Sequence, residues 1–124
     1  TSGKLMLNSS GMQWRDFISI HNVVRGIKHL IEIPSVKYGS NLFNLGGEAS
    51  YRVIDVAKLI VVRCEAVLGF KPQIGRPEPK PVEDYLKLNF QIDKLKETGF
   101  ALSGDITNEI DATLKFCHEN FRES

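Results

Sequence analysis

The chain has 124 residues, 42% of them hydrophobic and 25% charged, which is enough for one domain with a real core. Sixteen Lys and Arg oppose fifteen Asp and Glu, for a net charge of +1. No global field therefore draws in nucleic acid or an acidic membrane surface. The longest apolar run, Leu59–Val62, is far too short to span a bilayer, and no signal-peptide pattern is seen. A cytoplasmic setting is the expectation.

Cys64 and Cys117 stand far apart and form no C-x-x-C pair. Both fall at apolar positions of predicted helices, which predicts reduced, buried thiols. His21, His29 and His118 share no ligand spacing with each other or with the cysteines, so no metal site is expected.

Residues 17–20, Phe-Ile-Ser-Ile, read as a compact β-type run. Asn22 stands where a helix N-cap belongs, because its side-chain oxygen can take a free N–H of the next turn. Val23, Val24, Ile27, Leu30 and Ile31 follow at helical spacing, and Pro34 ends that helix. Residues 41–45, Asn-Leu-Phe-Asn-Leu, predict a second strand, broken by Gly46-Gly47. Ser50 is placed to cap a helix over 51–68, and Gly69 to close it in a left-handed turn. That helix is apolar nearly all round, so it expects partners on more than one side.

Residues 71–74 predict a short strand. The run Gly75-Arg76-Pro77-Glu78-Pro79-Lys80-Pro81 predicts an ordered, extended loop, because proline fixes φ and removes donors. Tyr85–Phe90 alternates, with Leu86, Leu88 and Phe90 on one face, which predicts a half-buried strand. A short helix near 92–98 should end at Gly99. The last helix should be capped by Asp105, with Ile106, Ile110, Leu114, Cys117 and Phe121 on one stripe. Repeats, low-complexity tracts and linkers are missing from the sequence. The order of elements gives an α/β fold of short strands alternating with helices in a single domain, 1–124, with too few strands for a complete doubly wound sheet.

A dinucleotide site needs a Gly-rich turn that brings backbone N–H groups to a pyrophosphate. None of the ten glycines makes G-x-G-x-x-G. Gly46-Gly47 lies between a predicted strand and a helix, but a lone glycine pair reads more simply as a tight turn. The sequence also has no G-x-S-x-G elbow and no P-loop.

Four stretches, in order, resemble one family. "GKLMLNSSGMQWRDFISIHNVVRGI" is similar to the Gly-rich turn, Arg-Asp-Phe, strand and capped helix of the extended short-chain dehydrogenases/reductases. "NLFNLGGEASYRVIDVAKLI" resembles the strand, Gly-Gly and helix that follow. "GRPEPKPVEDYLKLNFQIDKLKETGF" resembles the Arg-Pro loop, strand and "SKxxxxLGF" helix, and "DITNEIDATLKFCHENF" the closing helix. The members are NAD-dependent nucleotide-sugar epimerases, such as the UDP-glucose 4-epimerase-like isomerases, and dehydratases.

The resemblance spans essentially the whole chain but only the C-terminal, substrate-binding part of that family. It implies a small substrate-binding domain without the Rossmann half. The catalytic Tyr-x-x-x-Lys is missing: four residues after Tyr38, Tyr51 and Tyr85 stand Leu42, Asp55 and Asn89. The resemblance therefore implies no catalytic residue and no NAD bound by this chain alone, with NAD serving the intact enzyme. Its implied partners are a nucleotide-diphosphate sugar and the missing N-terminal half.

By the same resemblance, Arg15 and Arg76 would contact the diphosphate. A guanidinium suits that task, as a planar fork of donors charged at any usable pH. Without the family, Arg15 reads as an ion pair with Asp16 or a solvated arginine. Asp16 is expected to accept hydrogen bonds at its turn. Leu7 and Asn8 match the segment near the nucleobase. The family's acidic ribose contact, three residues after the loop arginine, is Pro79 here, which leaves Glu78 or Asp84 to substitute. Gln91 and Asp93 also replace the usual Asp and Ser of the following motif.

The function implied is nucleotide-sugar binding within an epimerase or dehydratase, without turnover alone. A non-catalytic binding or assembly module is the alternative. The apolar surface of the 51–68 helix further predicts self-association.

Overall fold

A computed structural model of the chain describes residues 3–34, 42–80 and 85–121. It is mixed α/β, in the order β1 (Lys4–Met6), β2 (Trp14–Asp16), α1 (Ile20–Glu32), β3 (Ser50–Arg52), α2 (Val53–Leu68), β4 (Gln73–Gly75), α3 (Asp93–Lys96) and α4 (Ile106–Asn120). Strand β1 pairs with β4 and β2 with β3, as two separate two-stranded sheets among the described residues. The chain divides into two compact units. One comprises Thr1–Arg15, Tyr51–Leu86 and Gly104–Ser124, and the other Asp16–Ser50 and Lys87–Ser103.

In the first unit, β1 and β4 run parallel in the register Lys4↔Gln73, Leu5↔Ile74, Met6↔Gly75. Parallel neighbours require a crossover, and α2 lies within it. Helix α2 buries Ile54, Ala57, Val61 and Cys64 and packs on α4 and β4. Arg63 of α2 and Asp111 of α4 join in a two-pronged ion pair, both N···O distances 2.6 Å.

Ser50 does not cap α2 but lies in β3, and its buried hydroxyl finds no hydrogen-bond partner among the described residues. The helix needs no side-chain cap, because two of its free first-turn N–H groups are satisfied by backbone. Val53 N–H donates to the Gln13 carbonyl (3.1 Å) and Ile54 N–H to that of Gly11 (2.9 Å). The loop can come this close only because residue 11 is glycine: its φ is +77°, and a Cβ there would lie 3.0 Å from Ile54 Cβ and Leu7 Cδ1. Gly69 ends α2 at φ +72°, as expected. The all-round apolar α2 is covered mainly by α4, and Val62 is its large exposed exception.

The second unit is built on Ile92, Leu95 and Phe100, against which Leu30, Phe43, Leu45, Phe90 and Leu102 pack. Helix α1 starts three residues earlier than the spacing of its apolar positions predicts. Its N-cap is Ser19, whose Oγ accepts the Asn22 N–H at 3.1 Å. Residues 17–19 are therefore not a strand, and the strand lies at 14–16. Asn22 is buried and serves as a bridge instead: its Nδ2 donates to Ser103 O (2.9 Å) and its Oδ1 accepts Ser103 N–H (3.1 Å).

The described part of 41–45 and all of 85–90 lack strand structure. Phe43, Leu45 and Phe90 do face the core, but Leu86 is 90% exposed and Leu88 is exposed too, so the face expected from the alternation of 85–90 is buried only at Phe90. A strand also needs a ladder partner, and alternation carries no information about one. Asp105 caps α4 as expected, its Oδ1 accepting Asn108 N–H at 2.9 Å. Cys64 is buried, but Cys117 is exposed. The α4 stripe runs out before its last turn, where Phe121 is also exposed.

Candidate functional site

Two of the residues assigned to a ligand, Leu7 and Arg76, lie where β1 and β4 end in the first unit. Ladder bonding continues one step beyond the strands, with Leu7 N–H donating to Gly75 O at 2.8 Å. This sets Leu7 beside the start of the proline-rich loop. The next residue in that loop, Arg76, turns its guanidinium back to the 8–13 turn. Its Nη1 donates to Ser10 O at 2.6 Å and lies 4.0 Å from Met12 Sδ. The turn is stiffened by Gln13 Nε2 donating to Ser9 Oγ at 2.8 Å.

Three residues past Met12, Arg15 stands exposed on β2. Its Nη1 donates to the carbonyl of its neighbour Trp14 at 2.9 Å. No ion pair to Asp16 is formed among the described residues, because the Asp16 carboxylate is engaged elsewhere. It accepts the N–H groups of Gly47 (2.7 Å) and Ala49 (3.1 Å) within the second unit. The local-pair reading of Arg15 is thus replaced by a division of labour. Asp16 ties down backbone, and Arg15 keeps an exposed fork of donors.

Asn8 and Glu78 are both exposed, on the turn and the loop respectively. Asp84 lies outside the described residues. Ser10 and Met12 are the neighbours that sequence reasoning missed. A backbone carbonyl has no residue signature, so Ser10 left no trace beyond the Ser-Ser-Gly turn signal.

The Gly46-Gly47 turn does not fit a dinucleotide phosphate. The N–H groups of Gly47 and Ala49 are aimed at Asp16. A Cβ at Gly47 would meet Phe17 O at 1.8 Å, and one at Gly46 would meet the Phe90 ring at 2.4 Å. The glycines serve close packing. No three His, Cys, Asp or Glu side chains gather as metal ligands among the described residues. None of the described helices is long and apolar enough to cross a membrane.

No family model matches the chain, and no curated protein does. Solved structures do match its fold. MoeE5, in complex with UDP-glucuronic acid and NAD, superposes with a TM-score of 0.70 at 17% identity, over 94% of this chain and 37% of its own. TunA, an NAD-dependent NDP-hexosamine 5,6-dehydratase involved in tunicamycin biosynthesis, gives 0.69 at 24% identity, over 95% and 36%. The UDP-glucuronic acid 4-epimerase of Bacillus cereus, in complex with UDP-glucuronic acid and NAD, gives 0.65 at 18%, over 94% and 35%. The chain thus has the fold of the C-terminal portion of extended short-chain dehydrogenase/reductase-like enzymes. It spans little more than a third of the length of the proteins it matches.

Proposed function

We propose that this chain is the nucleotide-sugar-binding portion of an NAD-dependent epimerase or dehydratase, with no turnover by itself. The observation that carries this reading is the tethering of Arg76. Its guanidinium is held on the Ser10 carbonyl, in the turn that runs into Arg15 and next to the Leu7 backbone. Arg15 and Arg76 hold the diphosphate, Leu7 and Asn8 border the base, and Glu78 serves the ribose. Asp84 stands in the same loop by sequence. The neighbours with bound UDP-glucuronic acid support the ligand class.

Two guanidinium forks match a doubly charged diphosphate without a metal. Such a portion works by orienting its ligand rather than by moving protons. The hydride chemistry belongs to NAD bound elsewhere in an intact enzyme.

The test is calorimetric titration of the chain with UDP-glucuronic acid and with UDP. Arg15→Ala and Arg76→Ala are each expected to weaken binding about 10- to 100-fold, as for loss of charge-assisted hydrogen bonds. NAD should leave the melting temperature unchanged. Unaltered affinity in both variants overturns the diphosphate assignment and leaves the non-catalytic module in its place.

A further inference from the structure

Two backbone hydrogen bonds fix the register between β2 and β3. Phe17 N–H donates to Ala49 O and Val53 N–H to Gln13 O, each at 3.1 Å. Counting inward from either bond sets Arg15 directly opposite Tyr51 in an antiparallel pair. Residues so placed project from the same face, with Cβ atoms about 5 Å apart. That face is the exposed one, since Trp14, Asp16, Ser50 and Arg52 alternate with them and are partly buried. Tyr51 is 39% exposed.

The acids nearest this pair are committed elsewhere. Asp16 accepts the N–H groups of Gly47 and Ala49, and Asp55 is bound by Arg52 at 2.7 Å. Arg15 therefore keeps its charge for a ligand, and its cross-strand neighbour decides what else that ligand meets. A second cation at position 51 would repel Arg15, and a carboxylate would neutralise it. A phenol does neither, and it adds one hydroxyl donor. Tyrosine and arginine are also of similar length, so both can reach one phosphate group above the sheet.

We propose that Tyr51 is a further binding residue, whose hydroxyl donates to the diphosphate beside the Arg15 fork. This inference rests on the functional reading above and adds a neutral donor to its two guanidinium groups. A hydroxyl bonded to a phosphate oxygen is charge-assisted, and so is stronger than an ordinary neutral pair.

The experiment is a double-mutant cycle of Tyr51→Phe and Arg15→Ala, read by calorimetric titration with UDP and with inorganic pyrophosphate. Tyr51→Phe keeps the ring and removes only the hydroxyl, which separates binding from packing. It should weaken both ligands about tenfold, as for one hydrogen bond to a charged group. In the Arg15→Ala background the same change should cost less than threefold, because the phosphate is no longer held against the hydroxyl. Unchanged affinity in Tyr51→Phe, with Arg15→Ala still weakened, overturns this inference alone. A loss for UDP but not for pyrophosphate moves the hydroxyl to the base or ribose and overturns it too, as does a full tenfold loss in both backgrounds. A parent chain that binds neither ligand overturns the functional reading and this inference together.

Discussion

The carboxylate of Asp16 closes a loop that begins thirty-one residues later, with Oδ2 2.7 Å from Gly47 N and Oδ1 3.1 Å from Ala49 N. A carboxylate beside two convergent N–H groups occupies the kind of concavity that elsewhere receives an anion. Here the anion is built in, and the neighbouring Arg15 keeps its guanidinium exposed. Asp16→Ala strands both donors and should cost about 2–3 kcal/mol, the range for hydrogen bonds to a charged group. Asp16→Asn retains one acceptor and should cost about half as much. Urea denaturation reads both, and an unchanged midpoint for the alanine variant contradicts the assignment.

Gly47 and Gly69 separate two reasons for glycine. At Gly47 the obstacle is space, since a Cβ would sit 1.8 Å from the Phe17 carbonyl oxygen. At Gly69 the space is open, and only the φ of +72° resists a side chain. Gly47→Ala should therefore cost more than about 4 kcal/mol, the scale of outright steric conflict. Gly69→Ala should cost about 1–2 kcal/mol for the left-handed backbone. Equal losses in thermal unfolding would show that the close approach at Gly47 is misplaced.

The two thiols should also part company. Cys64 is buried in the face of α2, and burial pushes its thiol up from the ordinary value, which suppresses the reactive thiolate. Cys117 is exposed on α4. Native protein at neutral pH should release one equivalent of thionitrobenzoate from Ellman's reagent quickly, and the second only on unfolding. Cys117→Ser should abolish the fast phase, while Cys64→Ala leaves it intact. A fast phase that survives Cys117→Ser contradicts the burial of Cys64.

The helices were legible where periodicity and capping agreed, as with α2 ending at Gly69 and α4 opening at Asp105. The start of α1 was not. Ser19 and Asn22 are both good caps by residue type, and the buried partner that claims Asn22, Ser103, lies 81 residues away. The alternation in 85–90 misled, since of Leu86, Leu88 and Phe90 only Phe90 packs on the core and alternation carries nothing about hydrogen-bonding partners. The exposed apolar surface expected on α2 is not found there, since α4 and β4 cover that helix except at Val62. Val23, Val24, Ile27, Leu30 and Ile31 look like a single face in sequence, yet in the fold Leu30 packs inward while Val24, Ile27 and Ile31 remain exposed. At the candidate site, the Ser10 carbonyl that holds Arg76 was not legible, because every residue carries one.

The Arg63–Asp111 pair should make the α2–α4 contact sensitive to acid. The side-chain hydrogen bonds from Arg63 hold the Asp111 carboxyl below its ordinary value, against an opposing effect of burial, with further help from the charges of Arg63 and Lys115. A carboxyl depressed in the folded state adds stability that is complete above its unfolded value, about 3.9. That stability drains away as pH falls through the lower folded value. Arg63 stays charged throughout and contributes no pH dependence of its own. Asp111→Asn should therefore lower the melting temperature at pH 7 by a few degrees and flatten its fall between about pH 5 and pH 2. Arg63→Met should return Asp111 toward ordinary titration and flatten the same region. Melting curves for the two variants and the parent across that pH range provide the check. Parallel curves for all three would show that the pair, though only 2.6 Å across, contributes no acid sensitivity to the fold.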